Sequence, residues 1–189
     1  MPDWEFLDTE QSEFIDTADT EFLDSQTVDT IYGLYIAIRN GVADDAYIKA
    51  WCQSNYGWDH KVYAGIDDRK PPGKTDCPYV YLFYESKRAG YRLEQKEYNI
   101  GVITEIYKEG YTSVAGKANI ITYTGMLHNE LFRKLVEVAV ISAIKGFFDG
   151  YAVDQCDSVY EDSEPYPYFR TYMGFSINRD YYQGSDVFT

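Results

Sequence analysis

Cysteine is scarce in this chain and does not pair. Cys52, Cys77 and Cys156 stand far apart and are odd in number, which argues against a disulfide framework. No Cys-x-x-Cys is present for zinc or redox chemistry, so buried free thiols are expected. Histidine is scarcer still, with only His60 and His128. His128-Asn129-Glu130 does not open an HExxH helix, and neither histidine lies in a cysteine or serine nucleophile motif, so surface or capping roles are expected. No apolar run approaches the roughly 18 residues of a membrane span. The segment from Met1 to Glu10 has neither the basic nor the apolar region of a secretory signal, and a cytoplasmic protein is expected.

Positive charge is also short. The formal net charge is −14, and it is uneven. Residues 1–30 hold ten acids and no Lys or Arg, whereas the rest of the chain holds 21 acids against 17 bases. Gripping nucleic-acid phosphates needs a clustered basic face, which this distribution does not supply. An acidic lining past which DNA slides is compatible with it. What the chain has in abundance is tyrosine, 20 residues in all. Tyrosine suits both interfaces, where it offers contact area with a polar tip, and half-buried sheets.

The acidic arm, residues 1–27, contains a repeat. Glu5-Phe6-Leu7-Asp8-Thr9, Glu13-Phe14-Ile15-Asp16-Thr17 and Glu21-Phe22-Leu23-Asp24-Ser25 recur every eight residues. An even spacing places Phe6, Phe14 and Phe22 on one side of an extended chain. Each apolar pair is too small to form a core alone, so the arm reads as a docking segment that orders on a partner, or as a solubilising tail.

Residues 28–179 carry the pattern of a folded body, and 180–189 a polar tail. Thr27 can cap a helix whose buried stripe is Ile31, Leu34, Tyr35, Ile38 and Val42. A short second helix is expected over 44–53, then a strand over 60–66 and a polar loop to Asp76. Tyr79–Glu85 reads as a central strand covered on both faces. In the strand 97–108, Tyr98, Ile100, Val102, Thr104 and Ile106 share a face. Residues 119–123 are a short strand or a loop. Residues 126–148 form the longest helix, with an apolar face wider than one sheet needs, which points to a second helix or another subunit. Ile141 is the odd apolar residue on its polar side and is the candidate oligomer contact. A hairpin, 152–162 and 168–179, closes the body and offers Phe169, Met173, Phe175 and Ile177 to the core. The expected fold class is α+β, a mainly antiparallel sheet with helices packed on one face.

Two chemical patterns compete with a structural role. Gly73-Lys74-Thr75 lacks the first glycine of a phosphate loop, since Asp68 holds that place, and leads toward a strand instead of a helix. Asp76 with Glu85-x-Lys87 resembles the two carboxylates and lysine of a Mg²⁺-dependent nuclease, which is the alternative in another class. Glu161-Asp162-Ser163-Glu164 lacks calcium-loop spacing. The expectation is no catalytic, cofactor or metal residues.

The order of elements, with Ile31-Tyr32-Gly33-Leu34-Tyr35-Ile36-Ala37-Ile38-Arg39, Val62-Tyr63-Ala64-Gly65, Pro78-Tyr79-Val80-Tyr81-Leu82 and a closing Phe175-Ser176-Ile177-Asn178-Arg179, resembles the tail terminator (tail-to-head joining) family of long-tailed bacteriophages. The resemblance implies a small α+β subunit, without enzymatic residues, that forms a hexameric ring on the last ring of the tail tube. That ring stops elongation and meets the head connector around a DNA channel, in the virion neck. Its partners would be further copies of itself, the tail tube protein and connector proteins, with DNA passing unbound and no membrane. A head-closure or other neck protein is the neighbouring reading, and an acidic adaptor for a host protein a third. The triple-repeat arm and the Trp51–Trp58 stretch depart from the family pattern.

Overall fold

The computed structural model describes residues 31–180 except 66–68, 89–94, 115–116, 148–150 and 162–165. The arm with Phe6, Phe14 and Phe22, the capping candidate Thr27 and most of the tail lie outside the described residues.

Helix α1, Ile31–Asp44, forms on the expected stripe: Leu34, Ile38 and Val42 are fully buried. Asp45 then breaks the chain and caps α2, Ala46–Tyr56, its carboxylate accepting from the Ile48 amide at 2.8 Å. The helix continues past the expected stop at Ser54 and ends at Gly57, whose φ of 82° is the left-handed conformation that a glycine tolerates best. Strand β1, Lys61–Ala64, is shorter than expected. The loop after it contains one 3₁₀ turn, Lys74–Asp76, and delivers the chain to β2, Tyr79–Arg88.

Strand β3, Gln95–Tyr107, follows, then a two-stranded ribbon of β4, Tyr111–Val114, and β5, Lys117–Tyr123. Helix α3, Thr124–Phe147, starts where β5 stops. Strands β6, Tyr151–Glu161, and β7, Tyr168–Asp180, complete the chain. The five-stranded sheet has the order β1-β2-β3-β7-β6, and every pair is antiparallel except β1–β2. The fold is α+β, as the sequence predicts.

One face of the sheet carries the core. Val80 and Leu82 of β2, alternate residues Tyr98 to Ile106 of β3, and Met173, Phe175 and Ile177 of β7 pack with Leu34, Ile38, Val42, Phe132, Val136, Val140 and Ile144 of the helices. Helices α1 and α3 cross closely at Gly41, where a Cβ would lie 2.8 Å from that of Ala143. Gly125 gives β7 a similar approach, because the Phe169 ring fills the space a side chain there would need. Thus α1 and the sheet together account for much of the apolar width of α3.

The other sheet face departs from expectation. No described helix covers β2 there; Tyr81 and Phe83 are half-buried by aromatic neighbours instead. Their rings lie 5.4 Å apart, and Phe83 also meets Tyr172 of β7 at 5.9 Å. Phe83 reclines over its β3 partner Gly101, where a Cβ would come within 2.2 Å of the ring.

Candidate functional site

The chemical candidates are separated by the fold. Asp76 ends the 3₁₀ turn before β2, whereas Glu85 sits at the β2 bulge between Tyr84 and Ser86. The six residue steps from Tyr79 to Glu85 span about 20 Å, too far for both carboxylates to share one cation. Asp76 is engaged locally: it accepts from the Gly73 amide at 2.8 Å and pairs with Lys61. These contacts, the Gly73 amide first, lower its pKa. Glu85 accepts from the Tyr172 hydroxyl. The Lys87 side chain lies outside the described residues.

Lys74, the lysine of the phosphate-loop-like triplet, lies 4.2 Å above the Tyr107 ring and 3.5 Å from Glu109. The triplet therefore forms a turn braced against the end of β3. Glu85, Glu97, Asn99, Gln155, Asp157 and Tyr172 border a shallow hollow of about 330 Å³ on the uncovered sheet face. Among the described residues no group of three or more His, Cys, Asp or Glu has a metal-holding arrangement.

His60 is a capping histidine, but a buried one. Its Nε2 lies 2.9 Å from the Val42 carbonyl near the end of α1, and burial lowers its pKa. His128 is half-buried, edge-on to Trp51 at 5.8 Å, and burial lowers its pKa as well. Cys52 and Cys77 are buried and Cys156 is half-buried, all as free thiols. Burial pushes the Cys52 and Cys77 pKa values up to about 12 and that of Cys156 to about 11, which keeps them unreactive thiols.

Two charged constellations escape sequence reading. Glu105, whose side chain is only 4% exposed, accepts from Arg170 Nε at 2.6 Å and from a second guanidinium nitrogen at 2.5 Å. The two residues are cross-strand partners on β3 and β7. Arg133 of α3 is buried among Glu130, Glu137 and Ser158. The period-two pattern does place Glu105 opposite the core-facing stripe, but nothing in the sequence pairs β3 with β7.

What remains open is apolar. On α3, Leu127, Leu131 and Val138 are exposed, Val138 by 66%, and their spacing of four and seven residues sets them in one stripe. Met126 is exposed at the start of the same helix. On the ribbon, Tyr111 pairs with Tyr123 and Ser113 with Ile121, so Tyr111, Tyr123 and Ile121 share one face, and all three are exposed. Ile141 is placed differently from these. It is half-buried, packed against the core cluster at the margin of the stripe. Among the described residues no helix is long and apolar enough to cross a membrane.

Comparison with protein-family models gives no match to this chain, and a search of curated proteins gives none either.

Proposed function

We propose that this chain is a structural assembly subunit, a tail terminator that forms a ring, with six copies as the expected number, on the end of a phage tail tube and joins it to the head connector. The observation that carries the reading is the surplus apolar surface of α3. After α1 and the sheet have taken their share, Leu127, Leu131 and Val138 still face outward, beside a ribbon presenting Tyr111, Ile121 and Tyr123. Exposed apolar residues scattered singly need no explanation, but Leu127, Leu131 and Val138 line up along one element, with Lys134 between Leu131 and Val138 and Lys145 seven residues beyond, which resembles an interface that mixes apolar and polar contacts. The near-balanced body and the lack of a basic track suit a wall past which DNA slides. The acidic arm, with its Phe pairs, is the segment offered to a neck or tail partner.

The test is native mass together with an interface variant. Val138→Asp puts a carboxylate at an exposed position, so the monomer should fold with unchanged melting temperature, while ring assembly, alone or on tail tubes, should be lost because that carboxylate would be desolvated. Ile141→Asp should also weaken assembly, but Ile141 touches the core and reports on both. A Val138→Asp protein that still forms the wild-type oligomer would remove α3 from the interface. A wild-type chain that stays monomeric even on tubes would remove the ring.

A further inference from the structure

The outer edge of β2 is only half used. β1 pairs with Tyr79 to Leu82, and its last bond is the Gly65 amide to the Leu82 carbonyl at 3.4 Å. Gly65 then has a φ of 89°, outside the extended range of a strand. Among the described residues nothing pairs with Phe83–Arg88 on that side. A six-residue strand edge carrying unpaired amides and carbonyls is a template for another strand.

The first described helix, α1, begins near this edge. Tyr35 of α1 donates its hydroxyl to the Leu82 carbonyl at 2.7 Å, and Val42 meets His60, just before the start of β1. Helix α1 therefore runs opposite to β2, and its first residue, Ile31, lies one turn before Tyr35, near the level at which β1 stops. The third repeat, Glu21–Ser25, ends five residues before α1 begins. Five extended residues span up to about 17 Å, enough to descend from a helix packed on the sheet to the sheet's edge at about 10 Å.

The side chains match as well. Adjacent residues of a strand point to opposite faces. The free half of β2 begins with two aromatic neighbours, Phe83 on the uncovered face and Tyr84, 46% exposed, on the other. The repeat offers an adjacent apolar pair, Phe22-Leu23, one for each face. With Glu21–Ser25 antiparallel along this edge, Glu21 falls at the end of β2 that carries Lys87 and Arg88 in sequence, and Asp24 at the Tyr84 end.

We propose that Glu21–Ser25 adds to the sheet of its own chain as an antiparallel strand along Phe83–Arg88 of β2. The short tether gives it a high effective concentration there. This placement does not depend on the ring reading. It takes Phe22 out of the partner-docking set and leaves Phe6 and Phe14 for partners.

Backbone amide exchange of the full-length chain tests this. Amides of residues 83–88 that point away from β3 should exchange at least tenfold more slowly in the wild type than in the Phe22→Pro, Leu23→Pro variant, which cannot form the ladder there. Amides of residues 79–82 should serve as an unchanged internal reference. The control Phe6→Pro, Leu7→Pro should match the wild type. The wild-type protection should be the same across a hundredfold range of protein concentration. Equal exchange in all three proteins overturns the proposal, as does protection that grows with concentration, which would identify a second copy's arm as the occupant. Because the readout is the same in a monomer or a ring, failure of the strand and failure of the ring are separately visible.

Discussion

Glu105 and Arg170 show how much a single pairing can hold. A carboxylate that is nearly enclosed loses its water, and the two guanidinium contacts replace it. Removing Arg170 leaves the buried Glu105 charge without the guanidinium that balances it. Arg170→Ala should therefore destabilise the fold by about 3–5 kcal/mol, measured by urea unfolding. The joint change Glu105→Leu, Arg170→Met should recover most of that loss, since it removes both charges together. A joint variant as unstable as Arg170→Ala would mean that Arg170 acts through something besides this pair. The histidines make a pH-dependent prediction. Burial holds the His60 pKa below its ordinary 6.5 in the folded chain, so the unfolded chain takes up that proton first. Stability is then unaffected by His60 above about pH 6.5 and falls as pH drops below it, with a slope of at most about 1.4 kcal/mol per pH unit from this residue. His128 acts with the same sign. Melting temperatures between pH 7.5 and 5.5 should fall for the wild type and fall less for His60→Asn; parallel curves would exclude His60 as the source. None of this is visible in the sequence, because both effects depend on which distant residue closes over the group.

At the scale of elements, legibility follows periodicity. Strand β3 alternates without interruption, and its expected core face, Tyr98 to Ile106, is buried residue for residue. Helix α1 and helix α3 are equally plain from their apolar spacing. The ribbon strand β4 is not anticipated, because Tyr111-Thr112-Ser113-Val114 is only four residues with no clear alternation, and β5 reads as strand or loop because its two adjacent isoleucines break a period-two pattern. The parallel pairing of β1 with β2 is invisible too, since strand neighbours are chosen by tertiary packing, not by local pattern. The apolar run of β2 suggests burial on both faces, but on one face its own aromatic side chains supply the cover. That arrangement needs Gly101. Gly101→Val should displace the Phe83 ring, which lies where the new side chain would be, and destabilise the domain by about 1–3 kcal/mol. Combined with Phe83→Ala the two effects should be less than additive, because the second change vacates the space the first requires. Strict additivity in a double-mutant cycle would show that the ring is not held over Gly101 in solution.

For the whole molecule, the exposed apolar surface was legible only in outline. The excess width of the longest helix is readable from its sequence, yet the residue singled out, Ile141, rests half-buried against the core, while Leu127, Leu131 and Val138 stand exposed. Helical periodicity locates a stripe but does not say which part of it a neighbouring helix will cover. The separation of Asp76 from Glu85 likewise follows from strand length, whereas the sequence shows only their spacing. The central claim is that this chain ends the tail tube and joins it to the head. It is tested most directly by electron microscopy of particles assembled in cells carrying the source genome with this reading frame deleted. The account predicts filled heads without tails alongside unattached tubes of uncontrolled, often excessive length, with normal virions restored when the chain is supplied in trans. Intact virions with tails of uniform length, assembled without it, would contradict the account.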